Sequence, residues 1–182
     1  AWQKVWLQEA GVNTLQAQFT CEGDRLQKLE VIQTAPEQNK FQRSHKIQIV
    51  LLDKKTVKKT TTLTLGKTFT VEVSGPSTEI AEAKGLVCPQ AVFANFNDYA
   101  YAKVKLDEKS LEAVKNNIDS IEPAFLRQML WASLWDNVLD AQMNVLEYYY
   151  LALRQGLEIE KDPQILRSLI MNMKGHRENS AS

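Results

Sequence analysis

From residue 13 onward, the spacing of apolar residues changes once, near residue 107. Before that point apolar and polar residues tend to alternate, as they do from Leu15 to Cys21, which is typical of strands with one buried face. After it, apolar residues recur every three or four positions, which is typical of helices. The alternating part predicts strands over residues 13–21, 26–32, 45–52, 57–65, 68–73, 87–94 and 99–106.

Capping residues set the predicted bounds of the helices. Pro123 is expected near the start of a long helix, Asn144 caps a third helix and Gly156 ends it. Asp162 and Pro163 open a fourth, and the polar tail from Gly175 should be frayed. The predicted helices cover residues 2–10, 108–121, 123–143, 145–155 and 163–174.

Together these elements predict an α+β chain in two successive layers, an all-β sandwich followed by a truncated α-helical array. We expect residues 1–12 to be the end of a preceding helix and a linker, residues 13–106 the sandwich, and residues 107–182 the start of a helical domain. The long helix is apolar around most of its circumference, so it should be buried on more than one side. Because the chain starts within an amphipathic helix, we expect it to be a piece of a longer protein.

The segment 92–107 carries the change from strand to helix. Tyr101 to Leu106 alternates as a half-buried strand, and Asp107 can cap the helix that follows. We therefore expect a domain boundary that holds the helices at a set angle to the sandwich.

Charge gives little guidance to function. The chain has 22 basic and 22 acidic residues, with a mild excess of basic residues up to Lys105 and of acidic residues after it. This asymmetry is too small to indicate nucleic acid or a membrane surface as a partner. No apolar run reaches the ~18 residues of a membrane span.

Cysteine and histidine residues are few. Cys21 and Cys88 do not have metal-ligand spacing, and we interpret them as buried free thiols. A disulfide would require the fold to bring them together in an oxidising compartment. His45 and His176 are interpreted as ordinary surface histidines.

Two carboxylates on the long helix are the first candidate for chemistry. Asp136 and Asp140 are four residues apart, with Glu147 close in sequence, and could bind a cation or act as acid and base. The alternative is the polar edge of a buried helix, with Arg127 or Arg154 as ion-pair partners.

Aromatic residues on the helices are the second candidate. Trp131 and Trp135 share one face and could stack a base or a sugar, but core packing is the plainer interpretation. Together with the two aspartates they would suit a small carbohydrate-binding enzyme. Tyr148, Tyr149 and Tyr150 span most of a helical turn, so at least one ring should meet solvent or a groove.

Four lysines flank a predicted hairpin tip. Lys54, Lys55, Lys58 and Lys59 could attract an anionic partner, or they could protect the edges of a solvated hairpin.

The motifs of common enzyme classes do not occur. The sequence contains no His-Glu-x-x-His, Cys-x-x-Cys, EF-hand loop, glycine-rich phosphate loop or Gly-x-Ser-x-Gly. We therefore assign no catalytic, cofactor-binding or metal-binding residue and expect the chain not to be a self-contained enzyme.

Three blocks of sequence resemble the aminopeptidase N family of zinc metallopeptidases. They are WQKVWLQEAGVNTL at Trp2 to Leu15, the segment Asn95 to Asp107 with its YAKVKLD, and RQMLWASLWD at Arg127 to Asp136. In order, they resemble the passage from the catalytic domain into a β-sandwich, the passage into the C-terminal helical domain, and an early helix of that domain.

The resemblance implies a non-catalytic fragment. In this family the zinc ligands and the exopeptidase motif lie in an upstream catalytic domain, so none of those residues can be placed on this chain and zinc belongs to the missing domain. The sandwich would be a spacer, and the helices would begin the cap that limits access of peptides. The implied partners are the parent's own catalytic domain and its peptide substrates, with no nucleic acid or membrane, and the implied location is cytoplasmic.

A free-standing protein-interaction module without enzymatic activity is the alternative. It would need a native start near Ala1 and a closed helical bundle.

Overall fold

A computed structural model describes residues 11–37, 40–57 and 60–179. The predicted helix over residues 2–10 therefore lies outside the described residues, as do Lys58 and Lys59.

The described residues form seven strands in two sheets. In the first sheet β1 (Thr14–Glu22) pairs with antiparallel β2 (Arg25–Thr34) on one side. On its other side β1 pairs with parallel β7 (Lys103–Leu106). The short β5 (Ser77–Glu79) extends the sheet at β2, which gives the order β5-β2-β1-β7.

The second sheet is built on a long hairpin. It consists of β3 (His45–Val57) and β4 (Thr60–Val73), and β6 (Ala91–Phe96) pairs with β3 in the order β4-β3-β6. All its pairings are antiparallel. Apolar side chains of both sheets meet between them, so the two sheets form a sandwich.

The second sheet also has a buried outer face. On β3, Ile47 and Ile49 face the sandwich interior, whereas Val50 and Leu52 belong to a second core that they share with the helices. Every residue of β6 is buried. A strand that is covered on both faces needs a continuous apolar run, which Ala-Val-Phe-Ala-Asn-Phe nearly provides.

The helices follow in the predicted order. They are α1 (Glu108–Asn117), α2 (Ala124–Leu139), α3 (Val145–Leu151) and α4 (Pro163–Asn179), with a 3₁₀ turn at Ile118–Ser120 and a π-helical continuation of α3 at Ala152–Leu157. The predicted fold class, a sandwich followed by helices, is confirmed. The division into domains at residues 12 and 106 stays a prediction. No helix within the described ranges is both long and apolar enough to cross a membrane.

Several sequence-based bounds were wrong, among them the start of β6 at Ala91 instead of Val87 and the end of α2 at Leu139 instead of Met143. The turn predicted at Gly66 does not form, because β4 runs through it with a bulge opposite Leu51. The missing side chain of Gly66 leaves room for the Asp53 carboxylate, which a Cβ would displace. The strand predicted over 99–106 begins only at Lys103, and α4 continues through Gly175 to Asn179 instead of fraying there.

The interpretation of the cysteines as free thiols was also wrong. Cys21 and Cys88 form a disulfide that spans 67 residues of sequence. Cys21 lies two positions after the inward-facing Phe19 on β1, so the alternation of that strand turns it toward the interior.

Candidate functional site at the junction of sandwich and helices

The start of α1 follows β7 of the first sheet directly and is hydrogen-bonded to β6 of the second. As predicted, Asp107 caps the helix, since its Oδ1 accepts a hydrogen bond from the Ser110 backbone N–H at 3.0 Å. The buried Ser110 hydroxyl in turn accepts a bond from the Val92 N–H of β6 at 2.9 Å. One turn of helix is thereby fixed to β7, which directly precedes it, and to β6 in the second sheet.

The helix α2 is bonded to β7 at its middle and near its end. The Ser133 hydroxyl donates to the Val104 carbonyl at 2.6 Å, and the Lys103 ammonium lies 2.8 Å from the Asp140 carboxylate. The Lys105 Nζ donates to Gln142 Oε1 at 3.0 Å. The lysine contacts are exposed and contribute little energy each, so apolar packing of α2 on the sheet carries most of the attachment.

The loop from β6 to β7 has an unusual backbone. Asn95, Asn97 and Asp98 have positive φ angles of 57°, 66° and 54°, a region that Asn and Asp tolerate best after Gly. The Asn95 side chain accepts a bond from the Ala100 N–H at 2.9 Å and donates to its carbonyl at 2.7 Å. The loop therefore turns around one buried amide and leaves Tyr99 and Tyr101 largely exposed.

A cleft of about 220 Å³ lies between this loop and α2. It is lined by Phe93, Asn95, Asp98, Ala102, Val104, Phe125, Gln128, Met129, Ala132, Ser133 and Asp136. Burial raises the pKa of the Asp136 carboxyl, the Lys103 charge opposes this and the Asp140 charge adds to it. The Ser133 hydroxyl is bonded to Val104, so the cleft does not pair this hydroxyl with a base for nucleophilic catalysis.

The predicted arginine partners of the two aspartates were wrong. Asp140 pairs with Lys103, and Arg154 lies over the Tyr150 ring at 5.7 Å. Arg127 makes a two-bond contact with Glu160, with both N–O distances at 2.8 Å. The glutamate is almost fully buried, and the Arg127 Nη1 also donates to the Ile121 carbonyl, so this pair fastens α2 to the start of α4.

The tryptophans belong to the core, which confirms the plainer interpretation. Trp131 is buried and Trp135 packs against the same cluster, and both rings contact the fully buried Tyr148. They therefore offer no exposed aromatic pair for a sugar. Burial raises the pKa of Tyr148 to about 12. Tyr150 is the ring that meets solvent, as expected for one of the three tyrosines.

His45 was predicted on the surface but is buried, so that interpretation was wrong. It precedes Ile47 by two positions on β3, and the same alternation places Asn13 and Gln33 at the inward-facing ends of β1 and β2. The alternation of buried and exposed positions along the strands is therefore enough to predict that all three side chains are buried. The His176 side chain lies outside the described residues.

These three side chains and Arg43 form a polar cluster at one end of the sandwich. The Asn13 Oδ1 accepts the Arg43 N–H at 3.0 Å and lies 3.3 Å from His45 Nε2, while Gln33 Nε2 donates to the Arg43 carbonyl at 3.0 Å. The Arg43 guanidinium donates to the Gly11 carbonyl at 2.8 Å. Burial, and then the Arg43 charge, lower the pKa of His45. This polar cluster fixes the point at which the chain enters the sandwich.

Neither a metal site nor an anion site stands out within the ranges described. No three His, Cys, Asp or Glu residues there come together as metal ligands. Lys54 and Lys55 are exposed near the end of the β3–β4 hairpin, and nothing described decides between the two interpretations of the four lysines.

Comparison with known proteins gives one informative result. No protein-family model matches the chain. The chain is 29% identical over 180 residues to aminopeptidase N from Streptomyces lividans. The alignment covers 95% of this chain and 20% of that protein, so the chain spans about a fifth of the relative's length. This similarity supports the resemblance identified from the three sequence blocks.

Proposed function

We propose that the chain is a non-catalytic part of a zinc-dependent aminopeptidase, which removes N-terminal residues from peptides. The observation that carries the proposal is the alignment, which takes in almost the whole chain and a fifth of an aminopeptidase N. The described residues do not fit a zinc site, since they bring no three ligands together. We assign zinc chemistry to a catalytic domain of the parent enzyme from the family resemblance, and that domain would be a partner of this chain.

Within that enzyme the sandwich would act as a rigid spacer and the helices as the first part of a cap over the active site. The contacts at the junction support this role, because α1 is hydrogen-bonded to β6 of the second sheet and α2 is hydrogen-bonded to β7 of the first sheet. A cap can limit the size of peptides that enter only if its angle to the spacer is fixed. Peptide substrates would then meet the cap before they reach the zinc.

The outer face of the helices supports a longer helical array. Leu146, Tyr150, Leu153 and Leu157 recur at helical spacing along α3 and its π-helical continuation, and each is at least 36% exposed. In the complete enzyme later helices would cover this stripe. The isolated chain should therefore dimerise through it.

An activity assay of the pure chain tests the non-catalytic role. We expect no hydrolysis of aminoacyl-anilides, with or without added zinc. Zinc-dependent turnover by the pure chain would overturn the proposal.

A hybrid enzyme tests the spacer and the cap. This chain would replace the aligned part of the Streptomyces lividans protein, and we expect the hybrid to hydrolyse aminoacyl-anilides. The substitution Ser133→Ala, which loosens α2 from β7, should alter kcat/KM for long peptides more than for a small anilide. Lys67→Ala on the exposed part of β4 is the matched control, and equal effects of both substitutions would contradict the cap.

The location in the cell is proposed as cytoplasmic from the resemblance alone, and the disulfide gives no support to it. The same exposed stripe also supports the alternative function, a free-standing protein-interaction module that would bind its partner there. A coding region that ends near Ser182 without an upstream metallopeptidase motif would favour the module.

A further inference from the structure

The disulfide lies at the end of the sandwich opposite the polar cluster. Cys21 is near the end of β1, whereas Asn13 of the polar cluster immediately precedes that strand. Cys88 lies in the segment that leads from the 3₁₀ turn at Ala81–Ala83 to β6. Both cysteines pack against the core of the sandwich and are partly exposed.

The segment that carries Cys88 crosses from one sheet to the other. The Cys88 N–H donates to the Asp24 carbonyl between β1 and β2 at 2.8 Å, and two residues later the Gln90 N–H donates to the Leu52 carbonyl of β3 at 2.8 Å. β6 begins immediately afterwards, at Ala91. The disulfide therefore fixes the crossing on the side of the first sheet, directly before the strand that also packs against the helices.

Backbone hydrogen bonds hold this segment independently of the sulfur atoms. The Leu26 N–H donates to the Leu86 carbonyl at 2.9 Å, and the Gly85 N–H donates to the Leu26 carbonyl at 2.8 Å. If the disulfide were reduced, these bonds would keep the two thiols side by side. Because both residues are partly exposed, a small thiol can reach them.

We propose that the Cys21–Cys88 pair is a reversible redox staple of the sheet crossing. It opens under reducing conditions without loss of the fold and closes under oxidising conditions, and its closure stabilises the strand on which the helices rest. The role rests on the cytoplasmic location proposed above, since disulfides in reducing compartments are usually transient and responsive. The pair has the independent backbone support that such a role requires.

Closure is a thiol–disulfide exchange with a small disulfide such as oxidised glutathione. One protein thiolate attacks a glutathione sulfur and releases one glutathione thiolate, and the second protein thiolate then resolves the mixed disulfide and releases the other. The protein sulfurs lose two electrons, glutathione disulfide gains two, and the two thiol protons leave with the glutathione. A dithiol such as dithiothreitol reverses both steps and becomes oxidised.

Thiol titration of the native chain tests the chemistry. After treatment with dithiothreitol we expect two reactive thiols per chain, and after oxidised glutathione none, with a mass decrease of about 2 Da and no increase in oligomer size. Thiols that stay free after oxidised glutathione, or a bond formed between two chains, would overturn the proposal. A bond that opens only in denaturant would also overturn it, since the staple is reversible in the folded state.

Thermal melting tests the consequence. The disulfide closes a long loop, so reduction should lower the melting temperature by roughly 10 °C. The Cys21→Ser/Cys88→Ser double variant is the control and should melt at one temperature with or without dithiothreitol, close to that of the reduced chain. Equal melting temperatures for the oxidised and reduced wild-type chain would refute the stabilising role.

Discussion

The sandwich and the helices of this chain differ in how completely they bury their apolar residues. Among the described residues of the sandwich, the large apolar side chains left exposed are scattered, as at Phe41, Leu65 and Val87. The helices leave a larger set exposed: Phe125, Leu139, Leu146, Tyr150, Leu153, Leu157, Ile159, Ile170 and Met171. The sandwich leaves few large apolar side chains exposed, whereas the helices bury one side against the sandwich and leave apolar side chains exposed on the other.

The two faces of the second sheet therefore have different roles. Its inner face completes the sandwich, and its outer face shares a core with the helices, where α1 packs on β6 and α2 lies against β7 of the first sheet. Because β3 and β6 contribute side chains to both cores, a destabilising substitution in either core should also destabilise the other. The predictions below test that coupling.

The largest effect is expected within the helices, at the buried ion pair. Arg127→Ala leaves the buried Glu160 carboxylate with only the backbone N–H groups of Lys161 and Asp162 and should lower the free energy of unfolding by about 3–5 kcal/mol. Urea denaturation measures it. The double variant Arg127→Met/Glu160→Gln removes both charges and should lose less. If Arg127→Ala lost no more stability than the double variant, the ion pair would not be holding α4 against α2.

Two substitutions on β3 compare the two cores directly. Ile49→Ala removes a fully buried side chain from the sandwich, and Leu52→Ala removes one from the core shared with the helices. Each should cost about 2–5 kcal/mol, and each should leave a single unfolding transition. A second transition in Leu52→Ala that is absent in Ile49→Ala would mean that the helices unfold separately.

A smaller effect is expected at the junction. Asp107→Ala removes the cap of α1 and should lower the free energy of unfolding by roughly 1 kcal/mol, measured by urea denaturation. Asp107→Ser keeps a capping oxygen and should retain most of the stability. If Asp107→Ala left the free energy of unfolding unchanged, the cap would not contribute to holding the junction, contrary to the prediction.

The smallest effect is expected at the polar cluster, as a dependence of the free energy of unfolding on pH. Because the pKa of His45 in the folded chain is lowered from 6.5, the unfolded chain takes up this proton more readily. The His45 contribution to stability should therefore be complete above pH 6.5 and should fall as the pH drops from 6.5 to the lowered value. His45→Gln cannot titrate, so the difference between wild type and variant in this range isolates the effect. A difference that does not depend on pH would contradict it.

Local sequence patterns predict the strands and helices of this chain more reliably than they predict its long-range contacts. The alternation around Leu15 and Ile47 and the cap at Asp107 act within a few residues, so the sequence reveals them directly. The Cys21–Cys88 pairing joins residues 67 apart, and the Arg127–Glu160 pair depends on how α4 returns to α2. Such contacts follow from topology, which spacing alone does not determine.

The candidate site shows the same limit. The strand predicted from Tyr99 begins too early, because Tyr99 and Tyr101 continue the alternation of β7 although both rings lie exposed in the loop before it. Conversely, the surface position predicted for His45 follows from its polarity alone, whereas its register with Ile47 and Ile49 buries it. A polar residue in register with buried neighbours is itself a signal of a buried network.

Native-state hydrogen exchange tests the central claim, that the contacts of the helices with β6 and β7 join the sandwich and the helices into a single cooperative unit. The amides of Ile47 to Leu51 in β3 and those of Leu130 to Leu134 in α2 would be followed by mass spectrometry at rising denaturant concentration. We predict that both groups exchange with the same free energy and converge on the global unfolding value. If α2 exchanged at a clearly lower free energy than β3, the helices would be a separate unit and the account of a rigid spacer and cap would fail.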